Sequence, residues 1–182
     1  TADIATTGEN GRNATENATL EAASTWYHIW VAVKSDGTVY SFLTSGGYPG
    51  GTSIFTLLPT GGLYAAYVGA VYNNGSSNFV AFSQVGDAVS SAVTTVLSGG
   101  TQTAVTSVSL ATAVPVTARR VTGFATPTAV AGGGGSTFSD SAGALGRSSH
   151  GGPATAGSAT NSIWRQVILT AQTIWYSVAA GA

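Results

Sequence analysis

The sequence predicts an all-β fold, an antiparallel β-sandwich or jelly roll that carries a long glycine-rich loop. Short runs of aromatic and β-branched residues recur along the chain, and turn signals separate them. A helical period is lacking, and only residues 87–96 compete for a helix. Short strands at this spacing are typical of sandwiches and jelly rolls. With 182 residues, 43% of them apolar, the chain can bury a core.

The clearest strand is predicted over residues 25–33. Alternation divides its side chains between two faces, Trp26, His28 and Trp30 on the first and Tyr27, Ile29, Val31 and Val33 on the second. Gly37 ends a hairpin turn that begins at Ser35, because glycine readily adopts the positive φ of such turns. Residues 38–43 then return as the paired strand.

Further strands and turns are predicted along the rest of the chain. A loop is expected at 46–51, a hairpin signal at 73–76, and a turn at 171–172 that joins the last two strands. The other strands are expected at 53–58, 63–72, 88–97, 103–110, 120–125, 163–170 and 173–178, with 79–84 leading into one more.

Composition divides the chain into a polar N-terminal arm, residues 1–22, and one sandwich domain, residues 23–182. Within that domain, residues 132–160 are rich in Gly and Ser and are predicted to be a loop. Loops of this length in compact domains are usually functional or disordered. The functional interpretation is an exposed loop that contacts a partner, since recognition often lies on loops held by a rigid scaffold. A flexible excursion is the alternative.

Charged residues make up only 7% of the chain, against roughly 25% in an average soluble domain. A secreted protein with a neutral surface would have this composition, and so would a subunit whose surface is covered in an assembly. We favour the subunit, because the net charge of −1 provides little repulsion between copies. The same charge argues against nucleic acid, and no apolar run is long enough for membrane insertion. Cysteine is absent, which excludes thiolate chemistry.

Few residues are available for catalysis or metal binding, and the sequence predicts no enzyme, metal or cofactor. His28 lies within a strand and is expected to pack against aromatic neighbours. Asp140, His150 and nearby serines supply the residue types of a hydrolytic triad, but a flexible loop does not orient a nucleophile. Asp87 and Asp140 are far apart in the sequence, and no sequence pattern brings them together, so the carboxylate pair of a glycosidase is not expected. No carboxylates have calcium-loop spacing.

Two groups of residues are instead candidates for binding. Asp140, Arg147 and His150 lie in the glycine-rich loop and are predicted to contact a ligand there. Arg119 and Arg120 are neighbours in the chain, so in a strand they point to opposite faces, and one of them is predicted to face a buried or intersubunit region. Two solvated side chains at a strand end are the alternative. The aromatic side chains are expected to pack in the core rather than to stack on a sugar ligand. They include Trp26, Trp30, Trp164 and Trp175.

A resemblance covers most of the chain. It is carried by Ser24-Thr25-Trp26-Tyr27-His28-Ile29-Trp30, Lys34-Ser35-Asp36-Gly37-Thr38, Leu58-Pro59-Thr60-Gly61, Tyr67-Val68-Gly69-Ala70-Val71, Asn73-Asn74-Gly75-Ser76-Ser77-Asn78-Phe79, Phe82-Ser83-Gln84 and Gln172-Thr173-Ile174-Trp175-Tyr176. In these segments the chain resembles a domain of tailed-bacteriophage virion proteins, of the tail-fibre or receptor-facing appendage type. The loop at 44–51 and the glycine-rich segment after Val130 depart from the family pattern.

The resemblance implies a non-enzymatic virion protein and transfers no catalytic residues. The leading hypothesis is a tail-fibre or appendage subunit that assembles with copies of itself as a homotrimer, contacts other virion proteins and binds a host surface glycan. A capsid decoration or head-fibre protein that binds the shell through its N-terminal arm is one alternative. A carbohydrate-binding module is the other.

Overall fold

A computed structural model describes residues 11, 21–45, 58, 60–127, 135–143, 145–151 and 161–179. These residues form antiparallel β-sheets with no helix, which confirms the predicted all-β class. None of them therefore belongs to a helix long and apolar enough to cross a membrane. The chain divides into two compact units, Thr1–Val93 and Thr94–Ala182. This division was not predicted from the sequence.

The described part of unit 1 contains two antiparallel sheets. In the larger sheet, β1 lies between β2 and β3; in the smaller, β4 pairs with β5. The strands are β1 (Thr25–Lys34), β2 (Val39–Thr44), β3 (Gly62–Asn73), β4 (Phe82–Val85) and β5 (Ala88–Ser91).

The two predicted faces of β1 each contribute to a separate core cluster. On the first face, Trp30 and Ala32 pack with Tyr40 and Phe42 of β2. On the second, Tyr27 packs with Leu43 and Val71, with Ile29 against them. Because a sheet exposes alternate side chains on opposite faces, apolar residues at successive positions require packing on both sides. The strand pattern at 25–33 therefore predicted both faces correctly.

Hydrogen bonds attach the residues before β1 to this sheet. The Nδ2 of buried Asn73 donates to Glu21 Oε1 at 2.8 Å and to the Ala22 carbonyl at 2.7 Å. The Ala22 amide in turn donates to the Tyr27 hydroxyl at 2.8 Å. These side-chain contacts fix the start of β1 against the end of β3.

The described part of unit 2 also contains two antiparallel sheets. One is two-stranded, β10–β7, and the other is four-stranded with the order β6-β11-β8-β9. The strands are β6 (Thr106–Ser109), β7 (Arg120–Ala125), β8 (Gly135–Ser139), β9 (Ser148–Gly151), β10 (Ser162–Val167) and β11 (Thr173–Val178).

One core cluster joins both sheets of unit 2. Trp164 of β10 stacks on Phe138 of β8, with ring centroids 5.0 Å apart. Gly123 lies beneath the indole, because a Cβ atom at that position would come within 2.4 Å of Trp164 Cζ2. Side chains from two sheets in one cluster are the packing of a sandwich. The buried members are Val108, Leu110, Phe138, Trp164, Ile168, Ile174 and Tyr176.

Three local predictions need correction. Strands β8 and β9 lie inside residues 132–160, which were predicted to be a loop. The strand predicted at 163–170 ends at Val167. The predicted turn at 171–172 is confirmed, and the strands on either side of it pair elsewhere, β10 with β7 and β11 with β6 and β8. The strand predicted at 88–97 ends at Ser91. The loop at 46–51 and the strand at 53–58, except Leu58, fall outside the described residues.

Candidate functional site

All three residues predicted to bind a ligand lie in the β8–β9 hairpin: His150 in β9, and Asp140 and Arg147 in the connection between the strands. Ser136 pairs with His150 and Phe138 pairs with Ser148. The imidazole of His150 lies 5.9 Å from the Phe138 ring, and its Nε2 lies 2.8 Å from Ser148 Oγ. A regular strand therefore orients this serine and histidine, which sequence reasoning had assigned to a flexible loop.

Asp140 does not complete a triad with this pair. Its carboxylate is buried against Gly146, and no hydrogen-bond partner reaches Oδ1. Gly146 adopts φ +58° there, a conformation that favours glycine. Asp140 lies four residues beyond Ser136, the partner of His150, which is about 13 Å at the rise of a β-strand. The imidazole contacts Ser148 and Phe138, and the Asp140 Oδ1 atom has no hydrogen-bond partner, so this carboxylate oxygen does not orient the histidine.

The three residues of the predicted loop site differ in what they present to solvent. Asp140 is buried, His150 is half-buried and bonded to Ser148, and Arg147 is exposed. The hairpin therefore brings Asp140 and Arg147 to one end and His150 to the other. A ligand-binding role for them stays a prediction, and Arg147 is the member most available for contact.

His28 is packed as the sequence predicted. It is buried on β1, its ring lies 5.9 Å from that of Tyr67, and its Nδ1 is 3.3 Å from the Tyr67 hydroxyl. Burial lowers the pKa of His28 from 6.5, because the charged imidazolium loses solvation. The buried imidazole therefore packs against the Tyr67 ring within this sheet.

Arg119 and Arg120 are both exposed within the chain, so the prediction that one of them faces a buried region of it is wrong. The Arg119 carbonyl accepts a hydrogen bond from the Ile168 amide at 2.9 Å, and Arg120 pairs with Val167 of β10. An intersubunit role for the two arginines stays a prediction. The sequence analysis did not single out Arg165 of β10, a further arginine in this pair of strands, which lies opposite Thr122. Alternation along β10 would have found it, since Arg165 shares a face with Ile163 and Val167.

Two of the four tryptophans, Trp30 and Trp164, belong to core clusters, as expected. Trp30 and Trp164 are buried, and Trp26 and Trp175 are half-buried. The Trp30 indole donates to Thr44 Oγ1 at 3.0 Å. Within the described ranges, no three His, Cys, Asp or Glu side chains cluster as a metal site would require.

Comparisons of this chain with protein-family models, with curated proteins and with solved structures found no match.

Proposed function

We propose that this chain is a non-enzymatic structural subunit of a tailed-bacteriophage virion, a tail-fibre or appendage protein that assembles with copies of itself. The resemblance in its strand and turn segments supports the virion assignment. The assembled state accounts for the low charge content, because charged residues are depleted at the centres of protein interfaces.

The observation that carries this proposal is the placement of large apolar side chains on the outside of ordered strands. Tyr64 of β3 is 69% exposed, and Phe124 of β7 and Ile163 of β10 are each 65% exposed. Single exposed apolar residues are common on protein surfaces, but adjacent ones on a sheet face are typical of interaction sites. Phe124 and Ile163 are direct cross-strand partners.

The chemistry of the described residues also favours a structural role. The best catalytic arrangement is the Ser148–His150 pair, and Asp140 lies at the other end of its hairpin. A serine nucleophile needs its base to be oriented by a third group. We propose that the connection between β8 and β9 contacts the host, because it carries exposed Arg147. The guanidinium of this residue is suited to binding acidic sugars or phosphate groups.

Electron microscopy of the virion with gold-labelled antibody against this chain tests the proposal. We expect label on the tail or its appendages, and none after the antibody is absorbed with purified chain. Label on the head would support the decoration alternative. A virion that contains no antigen, by microscopy and by mass spectrometry of its proteins, would contradict a structural role.

Purified chain applied to host cells tests receptor contact separately. We expect Arg147→Glu to reduce cell binding, since it replaces the exposed cation with an anion. Asp36→Lys is the control, because it also changes an exposed charge but lies in unit 1. Equal binding by all three proteins would remove Arg147 from the host-contact proposal.

A further inference from the structure

We propose that the outer face of the β7–β10 sheet binds the β4–β5 hairpin of a second copy of this chain. This inference rests on the proposed function, because it names the surfaces through which copies of the subunit assemble. It is carried by three observations: an unusual sheet face in unit 2, an exposed hairpin in unit 1, and opposite net charges on the two units.

The outer face is defined by three cross-strand pairs. The pairs are Phe124–Ile163, Thr122–Arg165 and Arg120–Val167, and all six side chains are exposed. The opposite face of the same two strands packs Trp164 and its neighbours into the core of unit 2. One sheet therefore has a filled inner face and an outer face that combines large apolar groups with two guanidinium groups.

Arginine beside aromatic and aliphatic side chains is the composition of interface hot spots. Its planar guanidinium is weakly hydrated and forms bidentate bonds with carboxylates, so burial in an interface is less costly than for lysine. The partner surface should accordingly offer apolar side chains next to a carboxylate.

The β4–β5 hairpin has this composition. Residues 81–91 are all exposed, and Val85 beside the turn is 79% exposed. Gly86 supplies φ +61° at the turn, and Asp87 follows it at the tip. Two-stranded hairpins are marginal by themselves. The Gln84 side chain does attach this hairpin to β3, by donating to the Val68 carbonyl at 3.1 Å.

Asp87 is the carboxylate best placed for such a contact among the described acidic residues. Asp36 already accepts a hydrogen bond from the Thr38 amide at 2.8 Å. Glu21 accepts one from Asn73, and Asp140 is buried. Asp87 instead lies at an exposed tip between Val85 and Val89, where a neighbouring surface can approach it.

The net charges of the two units indicate which units of neighbouring copies attract each other. Residues 1–93 hold six acidic and two basic residues, a net charge of −4, whereas residues 94–182 hold one acidic and four basic, a net charge of +3. A contact between unit 1 of one copy and unit 2 of the next brings opposite charges together. Like units facing each other would repel. The charges therefore favour contact between unlike units, and where that contact is heterologous it closes a ring such as a trimer when the rotation allows.

Sedimentation velocity of the purified chain across a concentration series tests the interface. We expect the double variant Arg120→Glu/Arg165→Glu to raise the dissociation constant for self-association at least about tenfold. Arg147→Glu is the control, because it reverses an exposed arginine of the same unit outside the outer face. Circular dichroism of each variant confirms that the strands are retained.

Charge reversal of both partners makes the test specific. Asp87→Arg alone should weaken association, and adding it to Arg120→Glu/Arg165→Glu should restore most of the wild-type affinity. Asp36→Lys in place of Asp87→Arg should not restore it. For the apolar part, Phe124→Ser should weaken association more than Leu145→Ser, a residue of equal 65% exposure elsewhere in unit 2.

The outcomes separate this inference from the proposed function. If the wild-type chain assembles and the double variant assembles as well as Arg147→Glu, the interface is wrong and the assembling subunit stands. Failure of Asp87→Arg to restore the double variant would also overturn the assigned partner. A wild-type chain that stays monomeric at every concentration would contradict both.

Discussion

The two units of this chain bury their apolar side chains in different ways. In unit 1, one three-stranded sheet has aromatic core clusters on both of its faces, one around Trp30 and Phe42 and the other around Tyr27 and Leu43. In unit 2, two sheets contribute to a single cluster around Trp164. Unit 1 therefore depends on a sheet with a core cluster on each face, whereas unit 2 depends on contact between sheets.

This difference explains where each unit leaves apolar surface. A sheet that contributes one face to a shared core has its other face outside, which is where Phe124 and Ile163 lie in unit 2. In unit 1 the small β4–β5 hairpin is exposed throughout. Each unit thus offers an ordered apolar surface, and the proposed association of copies requires no rearrangement of either core.

The largest expected effects come from truncating the centre of each core. Trp164→Ala and Phe42→Ala should each cost about 3–5 kcal/mol, because both side chains are buried and leave a cavity. Denaturant unfolding followed by near-ultraviolet circular dichroism measures the loss. If the cores are independent, each change lowers the transition of its own unit. A single transition shifted equally by both would show that the units unfold together.

Gly123→Ala should destabilise unit 2 by about 1–3 kcal/mol, because the added methyl group overlaps the Trp164 indole and forces it to move. Gly151→Ala is the matched control in the same unit, since its Cβ would have no atom within 4 Å. Urea unfolding of both variants gives the comparison. Equal stabilities would mean that Trp164 moves freely, contrary to a close-packed contact between the sheets.

Thr44→Val tests the polar contact on one face of the unit 1 sheet and should cost about 1–2 kcal/mol. The change keeps the shape of the side chain but removes the oxygen that accepts from the buried Trp30 indole. Thr44→Ser retains that oxygen and is the control. A valine variant as stable as the serine variant would show that this hydrogen bond adds nothing to unit 1.

The smallest expected effect is the pH dependence contributed by His28. Burial lowers its folded-state pKa below 6.5, so the unfolded chain binds a proton more readily than the folded chain. Stability from neutral His28 is fully present above pH 6.5 and is lost as the pH falls through 6.5 towards the folded-state pKa. His28→Gln should have a flatter profile of unfolding free energy between pH 7.5 and pH 5, relative to wild type. Identical profiles would contradict the assigned cause.

Local strand patterns could be predicted where side chains alternate clearly. The predicted limits of β7 and β11 agree with the structure, and the faces of β1 were correct. Strands β8 and β9 were missed because Gly, Ser and Thr dominate them and carry no apolar alternation. Their place in the sheet depends on pairing with a distant strand: β11 pairs with β8, and the last residue pair is Val178 with Ser136.

Pairing between distant strands could not be read from local signals. The turn at Ala171 and Gln172 was predicted correctly, but it does not indicate that β10 pairs with β7 and β11 pairs with β6 and β8. The candidate sites show the same limit. Sequence proximity grouped Asp140 with His150, and antiparallel pairing separates them. Conversely, pairing brings Arg165 beside Thr122 and completes a surface that no single segment reveals.

Sedimentation equilibrium of the intact chain tests the central claim, that this protein acts by assembling with copies of itself, most directly. The account predicts a particle of three times the 18.0 kDa chain mass at micromolar concentration. Its dissociation should increase with added salt, because screening weakens the proposed contact between oppositely charged units. A mass of one chain at every concentration and salt level would contradict the claim.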